Sequence, residues 1–411
     1  MEQLRGNAVV AQSGGPTAAI NATLAGVIRG VSECGSIEKL YGARNGIEGV
    51  LARRFLDLSG MTEDALCLLE NTPAAALGSC RKKLPPDFDG DHRILYEEIF
   101  SVFREYDIRY FFYIGGNDSM DTVAKLSRFA AQEGYDIRII GVPKTIDNDL
   151  MGTDHTPGFG SAAKYIATTM QEILRDTAVY TVKAVTIVEI MGRDAGWLTA
   201  AAALPSLYTD VAPDLVYLPE VPFDYDRFYE DIEKAFAHHP NVVVAVSEGV
   251  RTADGKYVGE GTQSGAADAF GHKYLAGTAK ALEYAVKEKF GCKVRSVELN
   301  LPQRCASHLA SKTDLDESVK IGRSAVWYAA SGETGQMMVF VRGKGERYEV
   351  GIDSADIMGI ANATRTVPRE WINERGNGVT KECLSYIAPL IEGEPTLLFE
   401  GGLPKHFSFD Q

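Results

Sequence analysis

Several features that would commit a chain to a membrane, a nucleic acid or an oxidising compartment are scarce here. No run of about 18 apolar residues is present, so a membrane-spanning helix is excluded. Basic side chains are in deficit: 42 Lys and Arg against 56 Asp and Glu give a formal charge of −14. That balance argues against a surface built to grip nucleic acid or anionic lipid, although an acidic protein can still hold a local basic pocket. The six cysteines (Cys34, Cys67, Cys80, Cys292, Cys305, Cys383) form no CxxC pair and predict reduced thiols rather than a disulfide framework or zinc site. Residues Met1 to Gly6 lack a basic and then apolar leader, which predicts a cytosolic protein. His238-His239 precedes Pro240 with no third ligand in view, and the G-x-S-x-G elbow of serine hydrolases is missing.

What is present describes a globular protein, with 45% hydrophobic and 24% charged residues in a chain of 411. At roughly 150 residues per domain this length predicts two or three domains. Seven short apolar, β-branched runs stand out: Asn7 to Gln12, Arg109 to Ile114, Ile137 to Val142, Ala184 to Ile190, Leu215 to Leu218, Asn241 to Val246 and Val294 to Leu299. Runs this apolar predict strands covered on both faces. Between them lie helical patterns such as Ile20, Leu24, Val27, Ile28 and Val31. Alternation of the two predicts an α/β protein with mostly parallel sheets, whose ligands bind where strands end. From about residue 345 the periodicity weakens, which predicts a peripheral extension.

Five strand ends carry chemistry. Gln12-Ser13-Gly14-Gly15-Pro16-Thr17 pairs glycines ahead of a helix, where backbone N–H groups can approach a phosphate; a plain tight turn reads the same way. Gly115-Gly116-Asn117-Asp118-Ser119 is a second such turn, with oxygens that suit magnesium or, equally, a solvated helix cap. Pro143-Lys144-Thr145-Ile146-Asp147-Asn148-Asp149 places a cation, a hydroxyl and carboxylates within a few residues, enough for a phosphate counter-charge and a general base. Met191-Gly192-Arg193-Asp194-Ala195-Gly196-Trp197 sets an Arg where it can clamp a phosphoryl group or form a structural ion pair. Ser247-Glu248-Gly249 offers a carboxylate for sugar hydroxyls, and Arg295 and Arg304 offer charge for a distal phosphate.

Taken together, SGGP with Asn21 downstream, GGNDS, PKTIDND, MGRDAGW, SEG and the Arg295/Arg304 pair resemble the phosphofructokinase family, in family order over roughly residues 7 to 310. The resemblance implies two similar three-layer α/β domains with mostly parallel sheets and an active-site cleft between them. It divides the chain into a phosphoryl-donor domain over 1–150, completed by part of 303–345, a sugar-phosphate domain over 151–302, and an extension over 346–411 packing on the core. The implied reaction is phosphoryl transfer to the 1-hydroxyl of fructose 6-phosphate. Asp147 matches the catalytic base and Arg193 the residue that stabilises the transferring group, with Lys144 beside them. Thr145, Ile146, Asp147, Asp149, Lys183, Met191, Gly192, Arg193, Glu248, Arg295, Leu301 and Arg304 correspond to the sugar-phosphate site. Gly14, Gly15, Arg81, Asn117, Asp118 and Ser119 correspond to the donor site, with Mg2+ on Asn117 and Asp118.

Two positions speak to the donor. ATP-dependent members read GGDGS and PGTIDND, whereas this chain has Asp118 and Lys144 at those glycines. A carboxylate at 118 crowds and repels the α-phosphate of ATP, while the Lys144 ammonium lends charge to shorter pyrophosphate. Both substitutions resemble the pyrophosphate-dependent branch, in which orthophosphate leaves and the reaction runs readily in both directions. Departures from the pattern are Asn117 at the first Asp of GGDDS, Ala184 where ATP enzymes carry an Arg that reaches a neighbouring subunit's sugar phosphate, with Lys183 as a substitute, and Leu301 at a His or Tyr position. A homodimer or homotetramer is implied, with no nucleic-acid or membrane partner. An ATP-dependent phosphofructokinase tolerating Asp118, a lipid or NAD kinase, and a non-catalytic regulatory subunit of the same fold are the alternatives; the last two fit poorly with PKTIDND and with Asp147, Lys144 and Arg193 together.

Overall fold

In the computed structural model, residues 4–260, 277–345, 347–360 and 363–409 are described. Residues 1–3 of the N-terminal segment and residue 346, the expected boundary of the extension, lie outside them. The strands are β1 (Gly6–Gln12), β2 (Ile37–Ala43), β3 (Phe55–Asp57), β4 (Ile108–Gly115), β5 (Arg138–Pro143), β6 (Ala184–Ile190), β7 (Leu215–Tyr217), β8 (Asn241–Ser247), β9 (Lys293–Glu298), β10 (Gln336–Arg342) and β11 (Val350–Asp356). They build a seven-stranded sheet in the order β11-β10-β5-β4-β1-β2-β3 and a four-stranded sheet in the order β7-β8-β6-β9. Within these two sheets every pairing is parallel except β2 with β3 and β10 with β11, at the two edges of the larger sheet; a separate antiparallel pair joins Phe399–Glu400 to Leu403–Pro404.

Strict alternation makes each sheet the middle of three layers. In β1, Val9 and Ala11 face a core with Tyr96, Phe100, Phe103 and Phe129 from the helices Asp91–Glu105 and Asn117–Glu133. Ala8 and Val10 face the opposite core, with Leu24 and Val27 of Ile20–Ser32 and Ile321 and Val326 of Lys312–Ala330. The last two helices touch backbone to backbone, because a Cβ at Gly26 would lie 2.1 Å from the Val319 carbonyl oxygen and one at Gly322 only 2.2 Å from that of Thr23. The smaller sheet repeats the scheme: Val188 and Ile190 face Ile166 and Met170 of the helix Phe159–Ala178, while Val185 and Ile187 face Phe228 and Leu282.

The seven apolar runs all form strands, within a residue or two of their expected ends, but the expected cover on both faces fails for β9, an edge strand with no buried residue. The segment expected as a peripheral extension starts at the edge of the larger sheet. β11 pairs with the whole length of β10 and completes the larger sheet, and its weak periodicity reflects an edge strand that is half-exposed throughout. Beyond it, Val367, Ile372, Cys383, Leu384 and Ile387 join the core beneath the smaller sheet, and Phe407 and Phe409 return to the larger unit. All six cysteines are free thiols. Among the described residues no helix is long and apolar enough to cross a membrane.

Asp314 anchors the junction between the units. Its buried carboxylate accepts from Gly158 N (2.9 Å), Ser161 N (3.0 Å) and Ser161 Oγ (2.6 Å), pinning the start of Phe159–Ala178 behind the 145–156 loop. Asp314→Ala strands these buried donors and is expected to cost about 3 kcal/mol, read as a lower urea midpoint. An unchanged midpoint would show that the junction does not depend on this carboxylate.

Candidate active site

β1 and β4 are neighbours at the centre of the larger sheet, and the glycine turns that follow them open side by side. The two turns work differently. Gly14 has φ +77°, and a Cβ there would come within 3.2 Å of Lys144 Nζ. Its N–H, expected to face a phosphate, instead donates to the Cys80 carbonyl (3.2 Å), while Ser79 Oγ donates to the Gly14 carbonyl (2.6 Å). Gly14 therefore makes room for the lysine, and the helix of this turn begins only at Ile20. The second turn does place a helix start in the cleft, since Asn117–Glu133 begins directly after Gly116. A Cβ at Gly115 would collide with Ser119 Oγ at 2.0 Å.

These turns, the 144–149 loop after β5, the 191–195 loop after β6 and Glu248 after β8 line one cleft of about 470 Å3 between the sheets. Arg81, Lys83, Lys144, Arg193 and Arg304 face Asp118, Asp147, Asp149, Asp194 and Glu248 across it, so within a strongly acidic chain this pocket is locally balanced in charge. Lys144 is buried and donates to the Gly15 carbonyl (2.7 Å). Burial pushes its pKa down to about 8 against the pull of Asp147 and Asp149. Burial also raises Asp147 above the ordinary carboxylate range, opposed by Lys144 and Arg193. Thr145 Oγ1 accepts from Asp147 N (3.1 Å) and so shapes the loop. Asp149 is pushed up to about 7 and Glu248 up to about 8, each by burial and then by the charge of Asp147.

The 191–195 loop is set by its neighbours. Gly192 N donates to Glu248 Oε1 (3.3 Å), Met191 N to Gln303 Oε1 (3.1 Å), and Ser247 Oγ to the Gly192 carbonyl (2.6 Å). A Cβ at Gly249 would sit 1.8 Å from the Arg193 carbonyl oxygen, which explains the glycine of Ser247-Glu248-Gly249. Asn117 Nδ2 donates to Asp149 Oδ2 (3.2 Å), leaving Asn117 Oδ1 buried with no hydrogen-bond partner among the described residues. Asp118 forms an ion pair with Lys83 (3.1 Å).

Of the residues expected from the sequence, Gly14, Gly15, Arg81, Asn117, Asp118, Ser119, Lys144, Thr145, Ile146, Asp147, Asp149, Met191, Arg193, Glu248 and Arg304 line this cleft. Gly192 lies behind it as a backbone donor. Three others do not line it either. Leu301 caps the short helix Pro302–Cys305 and is 52% exposed. Arg295 pairs with Thr186, toward the far end of β6, and lines a small hollow with Tyr180 and Lys293; Lys183, just before β6, packs over the Phe236 ring. Sequence reasoning missed Lys83, Asp194 and Thr364, which also line the cleft. Lys83 was open to detection as the end of the basic run Arg81-Lys82-Lys83, and Asp194 as the neighbour of Arg193; nothing in the local sequence marks Thr364.

Two mostly parallel sheets whose strand ends converge on a cleft lined by five cations and five acids place the molecule among the α/β proteins that bind ligands at the ends of their strands. Residues 7–328 match the phosphofructokinase family, and the chain belongs to it. It is 43% identical over 402 residues to the pyrophosphate--fructose 6-phosphate 1-phosphotransferase of Halomonas elongata, covering 97% of this chain and 95% of that protein. The Xanthomonas campestris pv. campestris protein of the same name is 43% identical over 406 residues, covering 98% and 96%. The crystal structure of pyrophosphate-dependent phosphofructokinase from Nitrosospira multiformis superposes with a TM-score of 0.88 at 38% identity, covering 98% of this chain and 95% of that one.

Proposed function

We propose that this chain catalyses the reversible transfer of a phosphoryl group from pyrophosphate to the 1-hydroxyl of fructose 6-phosphate. The observation that carries this reading is the convergence of Asp147, Lys144 and Arg193, from loops of both sheets, on one cleft with Asp118 beside them. Near-full-length similarity to proteins of that name supports it. Asp147 takes the proton of the C1 hydroxyl as that oxygen bonds to the nearer phosphorus; the bridging P–O bond breaks and orthophosphate leaves. Lys144 and Arg193 neutralise charge gathering on the transferred group. Glu248 and Arg304 orient the sugar phosphate, and Arg81 holds the donor. The seven-stranded unit serves as the donor domain and the four-stranded unit as the sugar-phosphate domain.

A magnesium ion suits the oxygens present. Mg2+ keeps several waters and takes one or two protein oxygens plus substrate phosphates, so it needs no cage of protein ligands, and the described residues contain none. The unpartnered Asn117 Oδ1 and the Asp118 carboxylate would hold it. When bound, the ion shields the negative charge of pyrophosphate. Lys83 offsets Asp118 in the same region, and Lys83→Met is expected to raise the KM for pyrophosphate about tenfold, the scale of roughly 1.4 kcal/mol. An unchanged KM would remove Lys83 from the donor site.

Lys183, just before β6, and Arg295, opposite Thr186, lie toward the far end of that strand, about 26 Å and 16 Å from Met191 along it. That placement supports a role in completing a neighbouring copy's sugar site in a homodimer or homotetramer. The test of the whole reading is the initial rate of fructose 1,6-bisphosphate formation with magnesium and either pyrophosphate or ATP. Pyrophosphate-driven turnover with little from ATP is expected; ATP-driven turnover alone would reverse the donor, and no turnover with either would return the chain to a regulatory role.

A further inference from the structure

We infer that Arg365, in the C-terminal segment, is a positioning residue that ties the loop bearing Asp147 to the loop bearing Arg193. Thr364 forms an antiparallel bridge with Leu150, and Arg365 N donates to the Asp149 carbonyl (2.8 Å), so residues 364–365 run as a short extra strand along the end of the Asp147 loop. The guanidinium adds a second hold. One terminal nitrogen donates to the Asp154 carbonyl and reaches Asn148 Oδ1 (3.5 Å), while the other donates to Tyr386 Oη (3.0 Å). Tyr386 Oη in turn accepts from Asn148 Nδ2 (3.1 Å) and donates to the Asp154 carbonyl. Asn148, between the two carboxylates, has φ +55°, a left-handed backbone that Asn adopts more readily than other residues with a Cβ but still less readily than glycine. Its amide is thus held at both ends by Arg365 and Tyr386, and a conformation that would relax elsewhere is kept in place.

The same segment grips the second loop. The Arg365 carbonyl accepts from Trp197 Nε1 (3.2 Å), and the guanidinium lies 4.4 Å from the centre of the Trp197 ring, a cation–π contact. Two residues on, Val367 N donates to Glu220 Oε1 (2.9 Å), the oxygen that also accepts from Gly196 N (2.8 Å). Trp197 and Gly196 close the Met191-Gly192-Arg193-Asp194-Ala195-Gly196-Trp197 loop. Arg365 itself does not line the cleft, whereas Thr364 does. One residue therefore spans from the loop of the general base, on the larger sheet, to the loop of the phosphoryl clamp, on the smaller one. In-line transfer needs these two groups in fixed register, and a misplacement of about 1 Å can cost around 100-fold in rate.

This inference rests on the proposed reaction, and the experiment separates the two. Wild type, Arg365→Ala, Arg365→Lys and Tyr386→Phe are compared for kcat and KM with pyrophosphate and fructose 6-phosphate, and for hydrogen exchange at residues 145–156 and 191–197. Arg365→Ala is expected to lose about 100-fold in kcat with both KM values within about threefold, the pattern of lost alignment rather than lost binding. Arg365→Lys keeps the charge without the planar fork and is expected to lose about tenfold. Added guanidinium ion should restore part of the rate in Arg365→Ala and none in Arg365→Lys. Should the alanine variant fail to fold, Arg365→Lys and Tyr386→Phe carry the test, with exchange rising in both loops together. That exchange result stands even if the wild type proves inactive with pyrophosphate, which would count against the reaction and not the tie. A kcat for Arg365→Lys within twofold of wild type, or faster exchange in the 145–156 loop alone, would overturn the inference.

Discussion

Replacing Asp147 with alanine is expected to lower turnover by about 1,000- to 10,000-fold while leaving the KM values near those of wild type, because proton removal from C1 is required in the transition state and not for binding. The surroundings of this carboxylate also set a pH signature. Burial raises Asp147 above the ordinary carboxylate range, so kcat/KM falls on the acid side as the base takes up a proton. On the alkaline side Lys144, lowered to about 8 by burial, loses its charge as the pH rises through that value, and pyrophosphate loses a counter-charge. A bell-shaped profile with its alkaline limb starting near pH 8 is the expected result, its limbs belonging to the interacting set of groups rather than to single residues. Near-normal turnover in the alanine variant would rule out the general-base role. A profile flat up to pH 9.5 would remove Lys144 from the charge balance.

The second large effect concerns the phosphoryl donor. Asp118 pairs with Lys83 beside the glycine turn, and Lys144 Nζ lies over Gly14, 3.2 Å from where a Cβ there would sit. Asp118→Gly is expected to shift the ratio of ATP-driven to pyrophosphate-driven rate toward ATP by about 10- to 100-fold, the scale of about 1.4 to 2.7 kcal/mol of repulsion relieved. Lys144→Gly should cut the pyrophosphate rate more deeply, since a buried cation is lost. Parallel initial rates with the two donors decide the matter. A ratio unmoved by Asp118→Gly would mean that the carboxylate does not select the donor.

Legibility in the sequence followed burial. β1, β4, β5, β6 and β8 lie inside their sheets, so their runs are almost wholly apolar and their ends, with the motifs they carry, could be read directly. β2 was hidden because Glu38 and Lys39 point to solvent and interrupt the pattern, and β11 because an edge strand shows water on one side. β10 is apolar enough to have been read, yet its sheet neighbour β5 lies almost 200 residues earlier, and no local pattern reports such a pairing. The same distance concealed Thr364 and Arg365, whose importance comes from the Asp147 loop they meet. Gly14 shows the opposite limit: the residue was found but its contribution is space for Lys144, a property of packing that a motif cannot express.

The return of β10 and β11 to the larger sheet also bears on how the protein is made. On the ribosome β5 emerges with one edge bare, and β10 follows only after about 190 more residues, roughly 10 to 40 s of synthesis at 5–20 residues per second. The four strands of the smaller sheet, β6 to β9, all emerge before that edge is covered. The first-made sheet is therefore left open along β5 while the strands of the second are synthesised. An unpaired parallel edge during that interval is a surface for chaperones to guard. A circular permutant that begins at the helix Lys312–Ala330 would deliver β10 and β11 before β5 and shorten the exposure.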